Sequence, residues 1–177
     1  MTEEKPEVKE EVVEKKEEVK PVTDRLVKPH TLKSRQVAEE DVDRVVSESK
    51  ILHELCFGAV GIYKGAYAMH HSQIDDKDPL DFFVLVERKI VINPVITRHS
   101  NYFKDSKEGC VTYNHLPQTI VPRWQKIDVE YRTIMVDPEN KDKFKLSGII
   151  TEKLSGPKAF VFAHEYDHGK GKYIYPL

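Results

Sequence analysis

Cysteine is scarce in this 177-residue chain: Cys56 and Cys110 are its two thiols, too few for a disulfide framework. Long apolar runs are missing too, and none approaches the roughly 20 residues needed to cross a bilayer. No charge sign dominates, since 28 basic and 30 acidic side chains leave a formal net charge of −2. That balance gives the molecule as a whole no strong pull toward nucleic acid or an anionic membrane, and neither partner is expected. The chain lacks the basic start and apolar stretch of a secretory signal, and its acidity there is unlike a mitochondrial transit peptide. A reducing cytoplasm is therefore the expected compartment, where a cysteine near metal-type residues is a candidate ligand. The length suits one domain with a core of ordinary size.

Residues 1–23, "MTEEKPEVKEEVVEKKEEVKPVT", are almost all Glu, Lys and Val. They cannot bury enough apolar surface to offset the entropy of ordering, so a charged, disordered tail is expected there and a globular domain over 24–177. In "VAEEDVDRVVSESKILHELCFG" the spacing of Ala38, Val42, Val45, Val46 and Leu52 predicts an amphipathic helix, with Gly58 as its stop. "AVGIYKGAYAMHHSQI" reads as a loop feeding a buried strand, and "DFFVLVERKIVINPVI" as a β run closed by Asn93-Pro94. "NYFKDSKEGCVTYNHLP" reads as loop with short extended pieces, while "KIDVEYRTIMV" and "KFKLSGIIT" each predict a strand. "KLSGPKAFVFAHEYDH" predicts a buried helix with Ser155 as N-cap and Pro157 in its first turn. Several strands and one buried C-terminal helix make an α+β fold.

That last helix carries His164-Glu165-Tyr166-Asp167-His168. Residues four apart lie one turn apart on the same helix face, so both histidines can reach one metal ion. Glu165 lies one step round the helix, close enough to take a proton from a water at that ion. The pattern alone is generic, but "AFVFA" before it implies burial, and two buried histidines with a glutamate are costly without a metal or a hydrogen-bond network. A catalytic metal usually has three protein ligands and an open position. The residues after His168, "GKGKYIYPL", contain no His, Cys, Asp or Glu, so a third ligand must come from upstream. The candidates are Cys56, Cys110, the other six histidines and various carboxylates. Cys110 ranks ahead of Cys56: it follows a flexible Glu108-Gly109, whereas Cys56 ends an amphipathic helix where a buried thiol is ordinary.

Glu108-Gly109-Cys110 followed by His164-Glu165-Tyr166-Asp167-His168 resembles the E-G-C-L-S and H-E-x-D-H-L-x-G motifs of peptide deformylases. Asp167 and Gly171 match that pattern beyond the generic metal motif, and Gly169 stands where the family usually has leucine. The family's first motif, G-x-G-L-A-A-x-Q, has a diverged counterpart in "AYAMHHSQI". There Gln73 matches the glutamine, Met69 replaces the leucine, Ala66 and Ala68 replace the glycines, and His70 and His71 replace the alanines. "LVKPHTLK", "VINPVI" and "IVPRWQKIDVEY" are also similar to the family, so the resemblance runs from about residue 25 to 171.

The resemblance implies a peptide-deformylase-like α+β fold, with antiparallel or mixed sheets packed around the buried helix that carries HExxH. It is similar to compact members without a C-terminal extension. It further implies a metal-dependent hydrolase that removes the formyl group from formyl-methionyl N-termini of nascent chains. The ligands would be Cys110, His164 and His168, around one divalent ion: Fe2+ first, with Zn2+, Ni2+ or Co2+ as alternatives. Glu165 would carry protons, and Gln73 and the backbone N–H of Val111 would donate to the oxyanion. Tyr67, Ala68, Glu108 and Gly109 would contact substrate, with Phe160 and Val161 beside the methionine side chain. Arg123 would pair with Glu108, and His70 and His71 are expected to face outward as ordinary polar residues. A monomer working near the ribosome, in the cytoplasm of a bacterium or phage-infected cell, completes the expectation. Two alternatives follow from the diverged first motif: a metal- or peptide-binding protein without turnover, and an amidase drifted to another N-acyl peptide.

Overall fold

The computed structural model describes residues 25–58 and 66–176. The tail expected over 1–23, and the stretch 59–65 that opens "AVGIYKGAYAMHHSQI", lie outside the described residues. Helix α1 (Val42–Phe57) buries Val42, Val45, Ser49, Leu52, Leu55 and Cys56, a stripe at helical period. Its entry is fixed by Asp41, whose carboxylate accepts two bonds from the Arg35 guanidinium at 2.8 Å and one from the Ala38 N–H at 2.9 Å. It stops where expected, with the Gly58 N–H bonded to the Glu54 carbonyl at 3.0 Å.

Strands β1 (Ala68–His70), β2 (Phe82–Leu85), β3 (Ile90–His99), β4 (Phe103–Glu108), β5 (Thr119–Trp124), β6 (Lys126–Arg132), β7 (Ile134–Val136), β8 (Phe144–Leu146) and β9 (Ile150–Ser155) precede helix α2 (Pro157–Gly169). Five of them form an antiparallel sheet in the order β1-β2-β3-β6-β9, while β4-β5 and β7-β8 are separate two-stranded pairs. The sheet has apolar side chains packed on both faces. Phe82, Val84 and Ile92 join the α1 cluster, whereas Phe83, Val91, Ile127, Val129 and Tyr131 pack with Ala159 and Phe162 of α2. Because successive strand residues point to opposite faces, a strand buried on both reads as the unbroken apolar run "FFV". The Phe162 ring meets Phe83 edge-on at 5.3 Å, which seats α2 against the sheet centre.

Four local expectations differ from the structure. The run predicted to close at Asn93-Pro94 instead reverses at residues 86–89, and β3 continues through the proline. A register shift falls between Ile92 and Val95, with Asn93 in the left-handed region at φ 53°. Its side-chain amide exchanges two hydrogen bonds with the Val37 backbone, at 2.8 and 2.9 Å, so tertiary pairing holds a conformation that local preference disfavours. "KIDVEYRTIMV" and "KFKLSGIIT" each divide into two strands, because Thr133 and Ser147 bond to each other and the segment between them leaves the sheet as the β7-β8 pair. Ser155 is not the N-cap of α2: it ends β9 opposite Lys126, and Gly156, at φ 57°, makes the turn before Pro157. Finally, "NYFKDSKEGCVTYNHLP" contains a full six-residue strand, β4, paired along its length with β5.

Leu52 is fully buried in the α1 cluster. Leu52→Ala is expected to cost about 2–5 kcal/mol in urea unfolding. Asp41 has its pKa lowered by the hydrogen bonds from Arg35, against the opposing effect of burial, and by Ala38. A depressed folded pKa gives stability that is present above the unfolded value of 3.8 and is lost as pH falls through the folded one. Asp41→Asn should therefore lower Tm at pH 7, and the gap from the parent should narrow as pH drops below that value.

Candidate metal centre

Three elements converge on the site. β4 delivers Glu108-Gly109-Cys110, a 3-10 turn over His71–Gln73 delivers Gln73, and α2 delivers His164, Glu165 and His168. The ligand-type atoms of Cys110, His164 and His168 all lie within 4.8 Å of one another. The two histidine Nε2 atoms are 3.1 Å apart, and Cys110 Sγ is 3.4 Å from His168 Nε2. Imidazole nitrogens facing each other so closely cannot both carry protons, and a shared cation satisfies both lone pairs. Burial lowers the pKa of His168 well below its usual value, with His164 adding to the effect, so its ring is neutral and able to ligate. Glu165 is buried beside them, and its Oε2 has no hydrogen-bond partner among the described residues. Burial raises its carboxyl to about 7, against the pull of His164. A Cys/His/His set with an unpartnered buried carboxylate beside it fits a divalent transition metal with one open position for water.

His164 is held by a buried ion network. Glu108 accepts two bonds from Arg123, both at 2.9 Å, and one from His164 Nδ1 at 2.9 Å. A carboxylate can only accept, so the His164 proton sits on Nδ1 and Nε2 is left free toward the metal position. Burial disfavours the Glu108 charge, but the hydrogen bonds from His164 and Arg123 outweigh it and lower its carboxyl to about 2. Arg123 also donates to Asp167 of α2 at 2.6 Å. The expected pairing of Arg123 with Glu108 is therefore present, and it extends to the helix.

Gln73 is aimed by its own turn. Its Oε1 accepts the His70 backbone N–H at 2.9 Å, which leaves Nε2 pointing at Thr112 Oγ1, 2.9 Å away, and at Cys110 Sγ, 3.8 Å away. These groups open into a cleft of about 900 Å3. Cys110, Gln73, His164 and Glu165 line it, with Gly109 and Val111 on the cysteine loop. Tyr67 and Ala68 line it from the β1 side, and Phe160 and Val161 from α2. Glu108 also borders the cleft, although its carboxylate is engaged by Arg123 and His164. His168 lies behind, almost wholly buried. Ala68 sits in extended β1, where replacement of a glycine brings no strain.

His70 and His71 do not face outward: both are fully buried, and neither lines the cleft. His71 stacks on Phe82 at 4.8 Å, accepts the Leu80 N–H at 2.8 Å through Nδ1 and meets Glu48 Oε2 at 2.5 Å through Nε2. Tertiary partners supplied by α1 and by the segment entering β2 make these polar rings tolerable inside, which no local pattern announces. Cys56 is an ordinary buried thiol of the α1 cluster, its pKa pushed up to about 12 by burial. Sequence reasoning missed Thr112, which receives the Gln73 amide, and Tyr113, Leu116 and Gln118 of the loop between β4 and β5. It also missed Tyr173, whose ring lies 4.7 Å from that of His168. Loop residues with no periodicity gave it no signal, though the tyrosines of "KYIYPL" are conspicuous in a polar tail.

The sequence profile described as polypeptide deformylase matches residues 10–176. A peptide deformylase of Halalkalibacterium halodurans is 31% identical over 116 residues, which is 66% of this chain and 54% of that protein. The chain thus matches about half the length of that relative. The peptide deformylase of a Vibrio parahaemolyticus bacteriophage, solved in complex with actinonin, superposes with a TM-score of 0.63 at 25% identity, covering 85% of this chain and 99% of that one. The class I type b enzyme of Acinetobacter baumannii shares the fold with a TM-score of 0.67 at 15% identity, over 84% of this chain and 94% of that one. With the family profile spanning nearly the whole sequence, the chain belongs to the polypeptide deformylase family.

Proposed function

We propose that residues 24–177 form a metal-dependent hydrolase that removes the N-formyl group from formyl-methionyl ends of nascent polypeptides. The observation that carries this reading is Glu165, a buried carboxylate with an unpartnered oxygen beside a Cys/His/His donor set at the base of an open cleft. Cys110, His164 and His168 would hold one divalent ion, a thiolate and two imidazoles being donors for a transition metal. The family resemblance puts Fe2+ first, with Zn2+, Ni2+ or Co2+ as alternatives. When bound, the cation activates water and polarises the formyl carbonyl. Glu165 accepts the proton from the attacking water and returns it to the departing amine as the formyl C–N bond breaks, giving formate and a free N-terminus. The Gln73 amide and the Val111 N–H donate to the oxygen that gains charge. Glu108 keeps its ligand histidine in the Nδ1–H form and, through Arg123, ties the cysteine loop to α2.

Phe160 and Val161 offer the methionine side chain an apolar wall, while Tyr67, Ala68 and Gly109 run beside the peptide. A monomer acting in the cytoplasm close to the ribosome fits such a substrate. The alternative of a drifted acyl specificity follows from the diverged first motif, but His70 and His71, which distinguish that motif, are buried away from the cleft and do not narrow it. A binding protein without turnover is separated from the enzyme by assay alone.

Protein purified anaerobically should carry one metal per chain, release formate from a formyl-Met tripeptide and bind actinonin. Cys110→Ala should lose both metal and activity, whereas Glu165→Gln should keep the metal and lose activity by about 10^2–10^4-fold. No formate release with any reconstituted divalent metal would reject the enzymatic reading. Glu108→Gln is expected to weaken metal binding by about 10–100-fold in chelator competition.

A further inference from the structure

The turn that carries Gln73 is anchored by a histidine for which the proposed reaction has no use. His70 Nδ1 accepts the Ser72 backbone N–H at 3.1 Å, so the neutral ring carries its proton on Nε2, which faces Asp81 Oδ1 at 3.4 Å. Burial lowers the pKa of His70 and keeps the ring neutral. Asp81 is fixed in turn: its N–H donates to the Arg35 carbonyl at 2.8 Å, its carbonyl accepts the Asn93 N–H at 2.8 Å, and Lys170 Nζ reaches its Oδ2 at 3.3 Å. The ring therefore pins the very residue whose backbone N–H holds Gln73 Oε1.

Gly169 makes this packing feasible. It lies in the last turn of α2, directly after His168, and it is not among the glycines with positive φ, so its backbone does not require glycine. A Cβ there would sit 2.5 Å from Asp81 Oδ1 and 3.1 Å from His70 Nε2. Both atoms are buried and engaged with each other, so neither yields freely. The end of the metal-site helix, the segment entering β2 and the Gln73 turn thus meet at one buried point.

We infer that His70 and Asp81 form a positioning pair that aims the Gln73 amide at the cysteine loop, and that Gly169 is the residue that admits the pair. The effect on turnover rests on Gln73 being the oxyanion donor, but the geometric claim does not.

The full chain tests both. The side-chain 15N–1H resonances of Gln73, identified by their loss in Gln73→Ala, should be dispersed and protected from exchange in the parent. His70→Ala should collapse them toward free-amide shifts with fast exchange, and Asp81→Asn, which keeps an acceptor for Nε2–H, should preserve them. Should His70→Ala not fold, His70→Asn retains an acceptor for the Ser72 N–H, removes only the reach to Asp81, and should show the same collapse. Unchanged Gln73 resonances in whichever of these variants folds would overturn the inference.

In the tripeptide assay His70→Ala should lower kcat about 10-fold or more with KM little changed, bounded by the about 10^2–10^3-fold loss expected for removing the donor itself. It should have no further effect in the Gln73→Ala background; equal losses in both backgrounds would mark a merely structural role. A parent that releases no formate defeats the functional reading, while the resonances still decide the positioning claim. Gly169→Ala, a change that ordinarily favours a helix, should lower Tm and release the Gln73 resonances, and its additional effect should shrink in an Asp81→Ala background, where the pair is already broken. A raised Tm with Gln73 undisturbed would sink the role of Gly169.

Discussion

A single buried carboxylate organises this molecule. Glu108 takes hydrogen bonds from Arg123 on β5 and from His164 on α2, while it sits two residues before Cys110. Removing any partner would leave a charge stranded in a low-dielectric interior, so the strand pair and the helix are held in one arrangement. That arrangement brings a thiol and two imidazoles within 4.8 Å, although 54 residues of sequence separate Cys110 from His164. The geometry of the donor set is a consequence of charge satisfaction at one remove from it.

The sheet supplies the second constraint. Its central strands are apolar on both faces, with α1 packed on one and α2 on the other. Phe83 and Phe162 register α2 against the strands, and this places His164 and Glu165 at the cleft instead of in the core. The same sheet fixes Asp81 at the entry to β2, from which the Gln73 turn is braced. The Cys/His/His donor set and the Gln73 amide are thereby referred to one rigid frame, which the proposed catalysis requires.

Helix α1 was legible because its apolar residues recur at helical spacing and a glycine ends it, and the observed stop at Gly58 follows from that. Strands were legible as apolar runs but their ends were not. Asn93-Pro94 looks like a terminus locally, yet the Val37 backbone pairs with the Asn93 side chain and carries β3 through. Likewise Thr133 and Ser147 end their strands by bonding to each other across 14 residues of sequence. At the site, His164 and His168 were legible from spacing along one helix, and Glu165 from its place between them. Cys110 was reachable from its place after Glu108-Gly109 and by resemblance. Thr112 and Tyr173 come from segments without periodicity, and nothing local distinguishes them.

The sequence by itself determined the chemical inventory: which residues can ligate, which can carry a proton, and which helix presents them. These properties are local, set by residue type and by the 3.6-residue period. Only the tertiary structure decided that His70 and His71 turn inward, because beyond the local Ser72 N–H their partners are Asp81, Glu48 and the Leu80 N–H, contributed by other parts of the chain. It likewise decided that Gly169 is needed for space and not for backbone freedom. A polar group belongs inside or outside according to whether a partner waits there, and the partner's location is a property of the fold.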